Sequence, residues 1–290
     1  MAEAQTLDIA NARRDLEAAF NRTDDIRIKV EVGLALVSLA SATGELDKAA
    51  AVLAELRKAA PENPAVLYAA FRTYSDLAGE TMLALSLAAP DSAQMHQLIA
   101  HEDTRLGNTA AAIVQYRKAI AIDPRLPGVH FELAEVLNHS SDLAAKDEAE
   151  REYRAALEQN PADEKALVRL GEIAARKGNE DEAFADFTRA AELDPSDTDA
   201  KLGLAKALID KNEINRAETL LEEIVRTEPS NALAHYRLGT LYHKRGREDD
   251  AKREIDEYKR LKAMKAKLQT IYDELRIQPK GSQLDEETER

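Results

Sequence analysis

The sequence predicts an all-α chain, a right-handed solenoid of about seven helix-turn-helix repeats with a capping helix at each end. Three observations carry that prediction. Prolines recur at a near-constant period: Pro61, Pro90, Pro124, Pro161, Pro195 and Pro229 are separated by 29, 34, 37, 34 and 34 residues. Between them apolar residues return at spacings of three and four, the period of an amphipathic helix. The composition suits helices, rich in Ala, Leu, Glu, Lys and Arg with only 11 Gly and 9 Pro in 290 residues. Ala and the straight-chain residues lose least side-chain entropy in a helix. A single core rarely serves a chain of this length, whereas repeats lengthen along one axis by stacking.

The first element is a capping helix within residues 1–29. From Thr6 to Asn21, Ile9, Leu16 and Phe20 mark one face, with Ala12 and Ala19 beside them. The open side of a first repeat needs such a cover. Asp24 or Asp25 then caps a helix that begins near Ile26.

The repeat array is expected over residues 30–263, with units starting near 30, 64, 93, 127, 164, 198 and 232. Asn63, Ser92, Asp163, Asp197 and Asn231 each stand two residues after a proline. Their side-chain oxygens can accept a hydrogen bond from an otherwise unpaired N–H at a helix start. Pro64 and Pro127 fit a first helical turn, where a missing N–H costs nothing. The unit from Glu164 shows the internal pattern. Leu167, Leu170, Gly171 and Ala174 describe one helix, Lys177-Gly178-Asn179 a turn, and Ala183, Phe187 and Ala190 a second helix. Gly178 suits the left-handed position that ends a helix.

The order Leu, Leu-Gly, small residue, then Ala, aromatic, Ala, Pro at a period of 34 resembles the tetratricopeptide repeat family. Later units repeat it through Leu204, Ala205, Leu208, Ala217, Leu221, Ile224 and Pro229, and through Leu238, Gly239, Tyr242, Ala251, Ile255 and Tyr258. Upstream, Ile99, Ala100, Ala112, Tyr116, Ala119 and Pro124 fit. So do Leu133, Ala134, Leu137, Ala149, Tyr153, Ala156 and Pro161, with three extra residues in the turn at Ser140-Ser141-Asp142. The first unit carries Leu36, Val37, Ala40, Gly44, Ala49, Leu53, Leu56 and Pro61. The segment from Pro64 to Pro90 is five residues short of the period and reads as a degenerate repeat with a shortened helix or turn, a hinge position near Ala78 to Glu80.

The last element outruns the repeat. A helical pattern runs from about Glu248 to Arg276, keeping Ile255, Tyr258, Leu261, Met264, Leu268, Ile271 and Leu275 on one side. That is a rod of roughly 43 Å. Residues 264–278 are read as an extension that either caps the array or docks on a partner. Residues 279–290 are read as an acidic disordered tail.

Charge and motifs limit the chemistry. A formal charge of −14 repels phosphate backbones, so nucleic-acid binding is not expected. The chain has no cysteine, which excludes disulfides and thiolate chemistry. No apolar run approaches the roughly 20 residues of a membrane span. The start lacks a basic and an apolar leader region; this predicts a cytoplasmic location, or a periplasmic or secreted one where the chain follows a removed leader. There is no Gly-rich phosphate loop, no H-E-x-x-H and no G-x-S-x-G. His96, His130 and His235 take the same early position in three first helices and read as packing residues. No enzyme activity, cofactor or metal is therefore expected.

The family resemblance implies a function and a site. In tetratricopeptide proteins the first helix of each pair lines a concave groove that binds a protein or peptide. Projecting the family's groove positions gives Ser38, Ser41, Tyr68, Arg72, Gln97 and His101 in the early units and Phe131, Glu132, Glu135 and Asn138 in the middle. The late groove receives Lys165, Arg169, Glu172, Arg176, Lys206, Tyr236, Arg237, His243 and Lys244. That late set is mostly basic on an acidic chain, which suits an acidic or C-terminal peptide segment. Only Lys165 and Arg169 match the family's carboxylate clamp, where Gln97, His101 and Glu132 depart from it, so chaperone-tail binding is not expected. The implied role is a non-enzymatic interaction scaffold, a monomer or weak homo-oligomer. The alternatives are an assembly subunit that self-associates or docks through the long last helix, and a regulatory module of an enzyme encoded elsewhere.

Overall fold

In the computed structural model the described residues, 2–275, form fourteen helices and no strand. They divide into two compact units, one reaching Met95 and one starting at His96. The nearest boundary expected from the sequence is the repeat start near residue 93. The tail read as disordered lies outside the described residues.

The first unit holds α1 (Ala2–Arg22), α2 (Ile26–Ala42), α3 (Leu46–Ala59) and α4 (Pro64–Ala88). The capping helix α1 buries Phe20 in a core with Val30, Leu36, Val37, Leu53, Leu56 and Val66. Phe20 and Leu56 meet over Gly33, where a Cβ would lie 2.8 Å from both side chains. Arg13 fastens α1 further by donating to Glu45 at 3.0 Å and to Thr43 at 3.1 Å. Asp25 caps α2, accepting from the backbone N–H of Arg27 at 2.8 Å. α2 thus starts at Ile26, where the sequence places a helix capped by Asp24 or Asp25.

The segment read as a shortened repeat is not a helix pair. It is one continuous helix, α4, of 25 residues. Asn63 caps its start, accepting from Ala65 N–H at 3.0 Å, and Pro64 occupies its first turn. Nothing stops it at Ala78 to Glu80: Gly79 lies in the helix with open space around it. Its unpaired length leaves Leu67, Tyr68, Phe71, Leu83 and Leu87 exposed.

The second unit is a stack of five helix pairs. They are α5 (Ala93–Arg105) with α6 (Thr109–Ile122), α7 (Val129–Asn138) with α8 (Leu143–Gln159), α9 (Glu164–Arg176) with α10 (Glu180–Leu193), α11 (Thr198–Asp210) with α12 (Ile214–Thr227), and α13 (Ala232–Lys244) with α14 (Glu248–Leu275). Side-chain caps start α5, α9, α11 and α13. Ser92, Asp163, Asp197 and Asn231 accept from backbone N–H groups at 3.2, 3.0, 2.8 and 3.0 Å. Pro127 differs from expectation. It lies before α7, whose start is preceded by Gly128 in the left-handed region, φ 79°. Most turns within a pair use a left-handed residue, Gly178 at φ 76° among them. In the α11–α12 turn Asn212 takes that place at φ 60°, a residue whose short polar side chain tolerates it.

Small residues let the pairs close on one another. Phe187 of α10 is 3% exposed and wedges between two glycines on neighbouring first helices. A Cβ would lie 3.0 Å from its ring at Gly171 and 2.2 Å at Gly203. The three early histidines brace the pairs. His130 meets Glu152 through Nδ1 at 2.5 Å and the Pro124 carbonyl through Nε2 at 3.0 Å. His235 repeats this with Glu254 at 2.7 Å and Pro229 at 3.1 Å, and Nδ1 of His96 meets Gln115 at 2.8 Å. The partner stands 19 residues on for His96 and His235 but 22 for His130, the difference being the three extra turn residues. Along one edge Lys177, Lys211 and Arg245, spaced at the repeat length, reach back to Glu150, Asp181 and Glu218 on the preceding second helix.

One carboxylate in this stack opposes it. Asp186 on α10 is half-buried, and burial, reinforced by the charge of Glu182 and opposed by Arg154 and Arg189, pushes its carboxyl up to about 6. A folded-state value above the unfolded one means that ionisation costs stability as pH rises from about 4 to about 6. Asp186→Asn is therefore expected to raise the melting temperature at pH 7 and leave it nearly unchanged at pH 4. Equal gains at both pH values in thermal melts would contradict this.

Candidate ligand-binding face

The first helices of the second unit carry the projected groove residues from Gln97 onward, and their local folding explains why they line up. Each first helix buries its Leu and Ala positions against its partner; on α9 these are Leu167, Leu170, Gly171 and Ala174. The residues between them, Lys165, Arg169, Glu172 and Arg176, are turned to the other side, spaced three and four apart on one face.

Neighbouring first helices are linked through this face. Gln97 on α5 donates to Glu132 on α7 at 3.1 Å and to the Pro127 carbonyl at 3.1 Å. Phe131 leans on Tyr153 with ring centroids 5.7 Å apart. Glu135 on α7 is the centre of a larger network. It accepts from the Tyr153 hydroxyl and from Arg169 of α9, through Nε at 2.9 Å and Nη2 at 3.3 Å. Arg169 also pairs with Glu172 at 3.2 Å. Burial, then the charge of Glu135, pushes the Tyr153 phenol well above its usual range. Burial works against the Arg169 guanidinium, yet Glu135 and Glu172 hold it above its ordinary range. Burial also pushes Glu132 and Glu172 upward, against the bond from Gln97 and the charge of Arg169 respectively.

The late residues do not behave alike, and this revises the picture of a mostly basic groove. Arg169 is engaged by two carboxylates. Arg237 on α13 is inserted toward α11, where it donates to the Leu202 carbonyl. Burial pushes its guanidinium down, opposed by Asp210 and Glu172. His243 stands at the end of α13 and meets Glu248 at 2.9 Å, away from the inserted arginine. Tyr236 is partly exposed and packs its ring 5.2 Å from that of Tyr258 on α14. Lys165, Lys206 and Lys244 are exposed, each on a different first helix. In the first unit Ser38, Ser41, Tyr68 and Arg72 are exposed on α2 and α4.

Between α11 and α13 the face carries a small notch of about 90 Å³, lined by Ile209, Tyr236, Arg237, Thr240, Leu241 and Lys244. Its lining is mostly apolar. Three of these six residues were projected from the repeat; Ile209, Thr240 and Leu241 were missed. The signal for Ile209 was its place three residues after Lys206 on the same helix. Among the described residues no group of three or more His, Cys, Asp or Glu side chains could hold a metal ion. No helix among them is long and apolar enough to cross a membrane.

Comparison with known proteins agrees with this architecture. Residues 152–268 match the family model described as the cytochrome c-type biogenesis protein H TPR domain, and residues 100–138 match a TPR repeat model. No curated protein matches the chain. Among solved structures, YrrB, described as a TPR protein with an unusual peptide-binding site, is similar at 18% identity and a TM-score of 0.52, over 62% of this chain and 91% of YrrB. MamA from Desulfovibrio magneticus RS-1 is similar at 16% identity and a TM-score of 0.53, over 60% and 97%. PilF of Pseudomonas aeruginosa is similar at 21% identity and a TM-score of 0.51, over 58% and 75%. At these identities the likeness shows the fold.

Proposed function

The chain belongs to the tetratricopeptide repeat family, and from that premise we infer that it is a non-enzymatic scaffold that binds a protein or peptide segment across α9, α11 and α13. The observation that carries this reading is the notch between α11 and α13, whose mostly apolar lining includes an exposed tyrosine and a lysine. A short segment laid across it could bury one apolar side chain there. Its carboxylates would meet Lys165, Lys206 and Lys244, three cations on three successive first helices. Arg169 and Arg237 serve the frame instead of the ligand, one held by Glu135 and Glu172, the other by a backbone carbonyl. The stretch matching the biogenesis-protein repeat domain contains all nine late residues. A peptide-binding site is described for YrrB, a precedent for this use of the fold.

The segment chemistry this favours is acidic, including a free C-terminus. Peptides displayed with free C-termini and selected on the intact chain test it. Acidic sequences with one large apolar residue are expected to be enriched. The triple variant Lys165→Glu, Lys206→Glu, Lys244→Glu is expected to bind the selected peptides at least about tenfold more weakly. It should melt like the parent, because exposed substitutions away from packing cost little. Selection without acidic enrichment, or unchanged affinity in the triple variant, sinks the proposal.

A further inference from the structure

The helix α14 continues well past the array. Among the described side chains of this helix Leu261 is the last buried one, 5% exposed, and every residue from Lys262 to Ile271 is exposed. Yet the apolar pattern does not stop there. Met264, Leu268 and Ile271 are 46%, 44% and 48% exposed, and with Leu261 they are spaced three, four and three residues apart. A cap needs apolar residues only where it covers a neighbour. This stripe goes on beyond anything the described residues place against it.

We propose that this extension is a docking helix for an acidic amphipathic helix of a partner protein, joined in a two-stranded coiled coil along Leu261, Met264, Leu268 and Ile271. The spacing is that of the a and d positions of a heptad, whose 3.5-residue period keeps one narrow seam toward a partner helix. A helix that lies on a membrane shows a broad apolar face instead, often with large aromatic residues in it; here Arg260, Lys265 and Lys267 stand directly beside the seam and keep it narrow.

The charges select the partner. From Tyr258 to Ile271 the chain carries Lys259, Arg260, Lys262, Lys265 and Lys267 and no acidic residue, although its overall charge is −14. With Leu261 at a and Met264 at d, Arg260 falls at g, Lys265 at e and Lys267 at g. A second copy is repelled in both orientations. Parallel pairing sets Arg260 of one chain against Lys265 of the other, and antiparallel pairing centred between Met264 and Leu268 sets Lys265 against Lys265 and Lys267 against Lys267. A helix with Glu or Asp at its e and g positions is attracted in either orientation. The seam is short, so binding should be weak alone, sensitive to salt, and strengthened when the same partner also engages another part of the array.

The test uses the full chain and a fluorescent synthetic peptide of three heptads, Leu at a and d and Glu at e and g, beside a counterpart with Lys at e and g. In anisotropy titrations the acidic peptide should bind, the basic one should not, and added salt should weaken the complex. Leu268→Asp, at an exposed position, should reduce affinity at least tenfold with an unchanged melting temperature. Lys265→Glu with Lys267→Glu should reverse the preference toward the basic peptide. The triple lysine variant of the binding face should bind the acidic peptide like the parent, which separates this proposal from the preceding one. No binding of the acidic peptide, or equal binding of both peptides, overturns it. So does a concentration-dependent dimer in sedimentation that Leu268→Asp abolishes. Retention on phosphatidylserine vesicles by a chain that ignores the acidic peptide would also overturn it.

Discussion

Replacing Phe187 with alanine is expected to cost the second unit about 3–5 kcal/mol, the range for deleting a fully packed aromatic side chain. The ring is shared by three helices: it belongs to α10 and fills the hollows left by Gly171 on α9 and Gly203 on α11. Its loss therefore opens the seam between two successive repeats, not just one pair. The converse substitution, Gly203→Ala, brings a methyl group to a point 2.2 Å from the present ring position, so Phe187 must leave its place. Overpacking of this kind costs about 1–3 kcal/mol, more than alanine returns through its better helix propensity, about 1 kcal/mol. If the two residues compete for one space, the double variant should be less destabilised than the sum of the single ones, because the alanine methyl occupies part of the cavity. Urea denaturation of the four chains completes the cycle. Additive losses would mean that Phe187 and Gly203 do not share that space.

This contact shows how the sequence encodes the array and where reading it locally fails. Phe187, Gly171, the caps and the closing turns were legible because each depends on residues a few positions apart. A side-chain cap or a left-handed glycine acts where it stands. The continuous α4 departs from the expected repeat because the proline period extends over a stretch where local stop signals are missing. Between Pro64 and Ala88 there is no proline, and Thr81, the capping-type residue after Gly79, instead donates its hydroxyl to the Leu77 carbonyl within the same helix. With Leu77 and Ala78 before Gly79 and Met82, Leu83 and Ala84 after it, the helix has no reason to stop. The cross-repeat pairs were overlooked for the opposite reason. Residues 34 or 35 apart face one another on successive first helices, so the period already brought Glu135 to Arg169, Gln97 to Glu132 and Leu202 to Arg237. Reading each groove position singly counted cations, when reading them in pairs would have shown which were already engaged. The heptad on α14 was visible as a periodicity, but only the depth of burial at Leu261 shows where the cap ends and the open seam begins.

Arg169→Glu is expected to have the second large effect, and it falls on the fold. The side chains of Arg169 and Glu135 are 17% and 27% exposed, and Glu172 joins them with its carboxyl already pushed up by burial. Removing one member of such a pair leaves the other charge poorly solvated, at about 3–5 kcal/mol when it is fully buried. Partial exposure lowers that figure, whereas a third carboxylate beside Glu135 and Glu172 raises it, so a loss of about 3 kcal/mol is expected at pH 7. The pH dependence has a definite sign. Burial already raises the Glu172 carboxyl against the charge of Arg169, and losing that charge raises it further, so the penalty applies while Glu172 is ionised and is relieved as pH falls through its raised value. The stability gap between parent and variant should therefore narrow from pH 7 to pH 5. The charge-exchanged double variant, Glu135→Arg with Arg169→Glu, should recover part of the loss, and Arg169→Gln should cost less than Arg169→Glu. A variant as stable as the parent at pH 7 would show that Arg169 is free to serve a ligand. Otherwise lost binding by an Arg169 variant reports a loosened α7–α9 contact, and only the exposed lysines Lys165, Lys206 and Lys244 can report recognition itself.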